Sequence, residues 1–139
     1  MIGRVNTVVL ALIGVVMACN TGTECCLDGG SGAVVWGNVT DSSGTLPVPA
    51  TIRALALVRC ESGEYDAYRP NANEESNESG AYRLFIDLLL YAGSFCVELE
   101  AAAPAESGFG SVTVTVGPLE FTGPATDSIR VDFRLPRQE

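Results

Sequence analysis

Alternation at a period of two is the feature that most restricts this chain. Tyr82, Leu84 and Ile86 alternate with Arg83 and Phe85, and Phe95, Val97 and Leu99 alternate with Cys96 and Glu98. Further on, Val112, Val114 and Val116 alternate with Thr113 and Thr115, and Ile129, Val131, Phe133 and Leu135 alternate with Arg130, Asp132 and Arg134. An extended strand sends residues i, i+2 and i+4 to one side, so each run offers one apolar face to a core. Turn-forming pairs open the first two runs, Ser79-Gly80 and Gly93-Ser94. The predicted register is definite: Leu84 inward, Arg83 outward.

Other segments read as strands at the spacing of a sandwich. Ala33 to Thr40 holds the only Trp, Trp36, and ends at Asp41-Ser42-Ser43-Gly44, a turn in which Asp and Ser bond the local backbone. Thr51 to Cys60 is a second strand and Glu64 to Arg69 a short third, whereas the polar stretch Pro70 to Gly80 reads as loop. Ala101 to Gly108 and Pro118 to Asp127 also read as loops. The expectation is therefore seven strands in one antiparallel β-sandwich over residues 33–139. Its inward set is Val35, Val39, Ile52, Ala54, Tyr82, Leu84, Ile86, Phe95, Val97, Leu99, Val112, Val114, Val116, Ile129, Val131 and Phe133.

Several of these segments carry a family resemblance. Val35-Trp36-Gly37-Asn38-Val39-Thr40-Asp41-Ser42-Ser43-Gly44, Pro47 to Ile52, Gly80-Ala81-Tyr82-Arg83-Leu84 and Phe95-Cys96-Val97-Glu98-Leu99 together resemble the carboxypeptidase regulatory-like domain. The likeness covers roughly Val34 to Ala102 and lies in structural motifs. It implies a seven-stranded, immunoglobulin- or transthyretin-like sandwich that serves as an accessory module without catalytic residues. The acidic stretch Asn71 to Glu78 and the cysteine pair of the domain depart from the family pattern.

Ahead of the domain, residues 1–18 read as a signal peptide. Arg4 is its lone charge, and the mainly apolar run Val5 to Val16, at about a dozen residues, is too short to span a bilayer. It ends Val16-Met17-Ala18-Cys19, which resembles the lipobox of bacterial lipoproteins. That resemblance implies cleavage before Cys19, its acylation, and anchorage in the lipid bilayer by more than the two signals stable residence needs. Asn20 follows rather than Asp, which favours the outer membrane over the inner in a cell that has both. Residues 19–32 form a Gly-rich tether.

Beyond Cys19 the chain has Cys25, Cys26, Cys60 and Cys96, an even number with three pairings open. In an immunoglobulin-like order the strands carrying Cys60 and Cys96 are antiparallel neighbours. A bridge there would close a loop of about 37 residues, worth roughly 3–4 kcal/mol on the chain-entropy model. Because Cys96 shares its face with Glu98 and Glu100, the bridge belongs on the outer side or rim. Two separate thiols, a vicinal Cys25-Cys26 bond or crossed pairs with the tether are the alternatives.

Composition narrows the chemistry. The 139 residues contain no His and no Lys, and eight Arg against 17 acidic residues give a net charge of −9. Such a chain lacks the commonest general base and the lysine amine, and it is ill suited to neutralising nucleic-acid phosphates. Glu98 and Glu100 read as a solvated strand face rather than a catalytic pair. Asn73, Glu74, Glu75 and Glu78 could offer oxygens to Ca²⁺, the one metal considered, but lack EF-hand spacing. Trp36, Tyr65, Tyr68 and Tyr91 could stack on carbohydrate, although Trp36 and Tyr82 read as core or rim. Phe109 and Phe121 fall in predicted loops, where an exposed aromatic points to a partner or to an end cap. No cofactor is expected. The predicted role is a non-catalytic binding or structural module of the cell envelope, its partner an envelope protein or glycan. The alternatives are a carbohydrate or small-ligand binder assisted by Ca²⁺, and a thiol-redox protein using Cys25-Cys26.

Overall fold

The computed structural model describes residues 32–87, 93–121 and 126–139. Cys19, Cys25 and Cys26, with the signal peptide, the tether and Tyr91, lie outside the described residues. Among the described residues there are eight strands: β1 (Gly32–Asp41), β2 (Thr51–Val58), β3 (Ala72–Glu75), β4 (Ala81–Asp87), β5 (Gly93–Ala102), β6 (Ser111–Phe121), β7 (Asp127–Arg130) and β8 (Phe133–Leu135). One 3₁₀ turn, Ala105–Ser107, is the only helical element among the described residues. One sheet has the order β4-β1-β7, with β8 also on β1, and the other runs β3-β2-β5-β6.

The two sheets share one core. Val35, Val39, Ile52, Leu84, Ile86, Val97, Leu99 and Phe133 are buried, and Leu84 lies inward while Arg83 is exposed, as the alternation requires. Val112, Val114, Val116, Ile129 and Val131 face the same core but are only partly buried. Leu57, Leu119, Phe121 and Leu135 also belong to the core, as do Val48, Tyr82 and Phe95.

Three sequence expectations are corrected. Glu64 to Arg69 forms no strand and makes one isolated bridge, Tyr65 to Val58. The third strand is β3, inside the stretch expected to be loop, pairing Glu74 with Ile52 and Asn73 with Arg53. An edge strand needs one neighbour only and tolerates charge, so its polar composition hides it. Second, β6 continues beyond Val116 through the cis Gly117-Pro118 bond to Phe121, where a loop was expected. At a sheet edge Pro removes no needed donor.

Third, the last run is broken into β7 and β8, which makes eight strands rather than seven, and both lie parallel to β1, so the sandwich is not wholly antiparallel. At the break, Val131 N donates to Trp36 O at 2.8 Å, and the Asp132 carboxylate accepts from Asn38 N at 2.9 Å in place of a backbone carbonyl. Gly37 makes room: a Cβ there would stand 2.1 Å from Val131 O. The buried Tyr82 hydroxyl donates to that same carbonyl at 2.6 Å.

Cys60 and Cys96 are bonded, with Cα atoms 5.0 Å apart, where β2 and β5 run antiparallel and Val58 faces Cys96. Cys60 is exposed and Cys96 half-buried, which puts the bridge on the rim. Asp41 organises the turn after β1: its carboxylate accepts from Ser43 Oγ at 2.8 Å, Thr45 N at 3.1 Å and Leu46 N at 3.2 Å, and Gly44 takes φ 78°.

Candidate functional site

Strand parity decides which side chains of the β4-β1-β7 sheet face solvent. Val35 and Val39 point into the core, so Val34, Trp36, Asn38 and Thr40 point to the outer face, where Val34 is nonetheless covered and buried. Cross-strand pairing sets Trp36 between Arg83 of β4 and Arg130 of β7, and Val34 between Phe85 and Ser128. On β8, Arg134 is opposite Thr40. Trp36 is 42 % and Phe85 53 % exposed, both large apolar side chains left in water on one sheet face. The Phe85 ring lies over Gly32, where an added Cβ would meet it at 2.5 Å.

Two of the three cations lie against neighbouring groups of the sheet. The Arg130 guanidinium stacks 5.2 Å from the Trp36 ring centroid while its Nε bonds the Asp132 carboxylate at 3.2 Å. The Arg134 guanidinium folds over the Asp41–Gly44 turn, 3.2 Å from where a Gly44 Cβ would be. Two shallow depressions open on this face, one of them lined by Trp36. One, of about 340 Å³, is lined by Asn38, Thr40, Arg130, Asp132 and Arg134. The other, of about 520 Å³, is lined by Val34, Trp36, Arg83 and Ser128.

The opposite outer face differs in sign and in contacts. Glu100 pairs with Arg53, and Glu98 accepts from the Tyr65 hydroxyl at 2.6 Å, a bond that with the carboxylate's charge holds the Tyr65 phenol above its ordinary pKa. Each member of the Glu98–Glu100 pair therefore has a partner of its own. Arg69 lies 6.0 Å from the exposed Tyr65 ring, and Tyr68, half-buried, packs against the core. The two tyrosines are not part of a strand and do not join Trp36, which is on the other sheet.

The remaining candidates are dispersed or buried. Asn73 and Glu75 pair with Arg53 and Thr51, whereas Glu74 pairs with the inward Ile52, so adjacent acids face opposite sides of β3. Glu78 lies in the next turn, where Asn77 Oδ1 is taken up by the backbone N–H groups of Ser79 and Ala81 at 3.0 Å each. Among the described residues no group of three or more His, Cys, Asp or Glu is placed to hold a metal ion. Phe121 is no loop-tip aromatic: it is fully buried at the end of β6, its ring 6.3 Å from that of Phe95. Phe109 is half-buried against the core with Arg137 5.6 Å over its ring. Both close an end of the sandwich.

The sequence analysis places Trp36 in the core or rim, yet the parity that turns Val35 and Val39 inward turns Trp36 outward. The arginines beside it are another matter, because alternation shows that they point out and not that their strands adjoin β1. Compared with known proteins, the chain matches no family model, no curated protein and no solved structure.

Proposed function

We propose that this chain is a lipid-anchored, non-catalytic binding module of a bacterial cell envelope that takes acidic carbohydrate on the outer face of the β4-β1-β7 sheet. The observation that carries the binding reading is Trp36, exposed in mid-strand between Arg83 and Arg130 on a chain of net charge −9. An indole offers a flat apolar surface to the C–H face of a sugar ring. Guanidinium groups recognise carboxylate or sulfate through paired hydrogen bonds. Asn38, Thr40 and Ser128 add neutral donors and acceptors beside them. Export and acylation at Cys19 rest on the Val16-Met17-Ala18-Cys19 motif. The accessory, non-catalytic role is carried over from the sequence resemblance to carboxypeptidase regulatory-like domains, whose matching segments lie largely in β1, β4 and β5.

Because Trp36 is the only Trp, its fluorescence reports this face alone. Titrating the full chain with uronic-acid oligosaccharides, their neutral counterparts, and each with and without Ca²⁺ should give a saturable change with the acidic sugars only, independent of Ca²⁺. Arg83→Ala should weaken that response severalfold. Equal response to neutral sugars, or none to acidic ones, would contradict the reading.

A further inference from the structure

Strand pairing sets the order of charges across the outer face of the β4-β1-β7 sheet. Arg83 lies opposite Trp36 on one side of β1, and Arg130 lies opposite it on the other. Two residues along β1 from Trp36 is Asn38, whose N–H donates to the Asp132 carboxylate at 2.9 Å. Two further on is Thr40, with Arg134 opposite. At this end β8 continues the side that β7 occupies, because the other side is taken: Val39 N donates to Gly80 O and Val48 N donates to Val39 O. Arg83 and Arg134 therefore stand at opposite corners of the face. Four residues of β1 separate them in one direction, about 13 Å, and two strand spacings in the other, about 10 Å.

The groups between those corners differ from them. Arg130 Nε bonds the Asp132 carboxylate at 3.2 Å, so the charges of this pair offset one another. Both members are held from β1, the acid by the Asn38 backbone and the base by the Trp36 ring, 5.2 Å from centroid to guanidinium. From corner to corner the order is a cation, a neutralised pair beside an indole, and a second cation. Each corner cation lines its own depression, Arg83 with Trp36 and Ser128, Arg134 with Thr40 and Ser79.

We propose that this face selects a polysaccharide in which acidic sugars alternate with neutral ones, and that Asp132 makes the selection. The inference rests on the acidic-carbohydrate reading given above and specifies the pattern of that ligand. One acidic sugar meets Arg83 beside Trp36, another meets Arg134, and the neutral sugar between them lies on the Arg130–Asp132 pair. Because both acidic groups belong to one chain, the second contact forms at the high effective concentration set by the first. A carboxylate on the middle sugar would face the Asp132 carboxylate, and like charges brought together discriminate strongly against a ligand. A neutral sugar there finds donors in the Arg130 Nη groups and acceptors in the Asp132 oxygens for its hydroxyls.

Two sets of unsulfated oligosaccharides of matched length test this on the full chain in detergent, with Trp36 fluorescence as the readout. One set alternates a uronic acid with a neutral sugar, and the other is uronic acid throughout. The alternating set should bind about tenfold more tightly, the gain appearing once an oligomer carries two acidic groups. Asp132→Asn, which keeps an oxygen for the Asn38 N–H, should abolish the preference by strengthening the all-acidic set. Arg134→Ala should remove the gain with length. Equal affinity for the two sets, or a preference that survives Asp132→Asn, overturns this proposal and leaves the carbohydrate reading standing. No response to either set overturns both. Comparing the two sets on the wild type needs no variant, so a variant that fails to fold cannot decide the outcome.

Discussion

Asp41 illustrates how one side chain governs a turn and a pH response. The Ser43 hydroxyl, followed by the backbone amides of Leu46, Thr45 and Gly44, holds its carboxyl below the ordinary carboxylate range against the opposing effect of burial. A folded-state pKa below the unfolded one means the stabilisation is fully present above the unfolded value, about 4, and is lost as pH falls through the folded value. Urea denaturation of the wild type should therefore show stability declining below about pH 4. Asp41→Asn should flatten that acid limb, and an unchanged limb would remove Asp41 from the account. Tyr82 is the counterpart at the alkaline end: burial first, then the Asp132 charge, raises its phenol above the ordinary value, so it stays protonated while bonding Val131 O.

At the scale of elements, the β2–β5 pair is central, since it carries the buried Ile52, Val97 and Leu99 and ends in the Cys60–Cys96 bridge across a sequence separation of 36. Replacing both cysteines by Ser should lower stability by about 3–4 kcal/mol if the bridge acts mainly by restricting the unfolded chain. Equilibrium denaturation of the oxidised wild type and the Cys60→Ser, Cys96→Ser chain measures this directly. These strands were legible because alternation and a half-buried face coincide in them. The same rule misplaced the third strand: Ala72-Asn73-Glu74-Glu75 has no apolar rhythm, and an edge position relieves it of the need for one. It also ran Ile129 to Leu135 together, because the break at Val131-Asp132 inserts no residue: Trp36 pairs with Arg130 before it and Val39 with Phe133 after it, so the alternation is kept and hides the break. What reveals that break is Gly37 on another strand, a long-range contact no local pattern encodes. Pro118 misled in the opposite direction, marking a loop where an edge strand accepts it.

The whole molecule is asymmetric in charge. Arg83 and Arg130 flank Trp36 on one outer face, with Arg134 farther along it opposite Thr40 and Asp132 paired to Arg130, while Glu75, Glu98 and Glu100, with Arg53 among them, occupy the other. A strongly acidic chain that concentrates cations beside an exposed indole presents a local field opposite in sign to its net charge. The aromatic residues at the ends, Phe109 and Phe121, instead serve packing, so recognition and stability reside in different parts of the surface. Trp36→Ala and Phe109→Ser separate the two. Each variant would be assayed for co-sedimentation with insoluble acidic envelope polysaccharide and for thermal unfolding. Trp36→Ala is expected to lose most of its co-sedimentation with its melting temperature nearly unchanged, and Phe109→Ser to melt lower while binding as the wild type does. Undiminished binding by Trp36→Ala, or binding lost only with Phe109→Ser, would contradict the assignment of the β4-β1-β7 face.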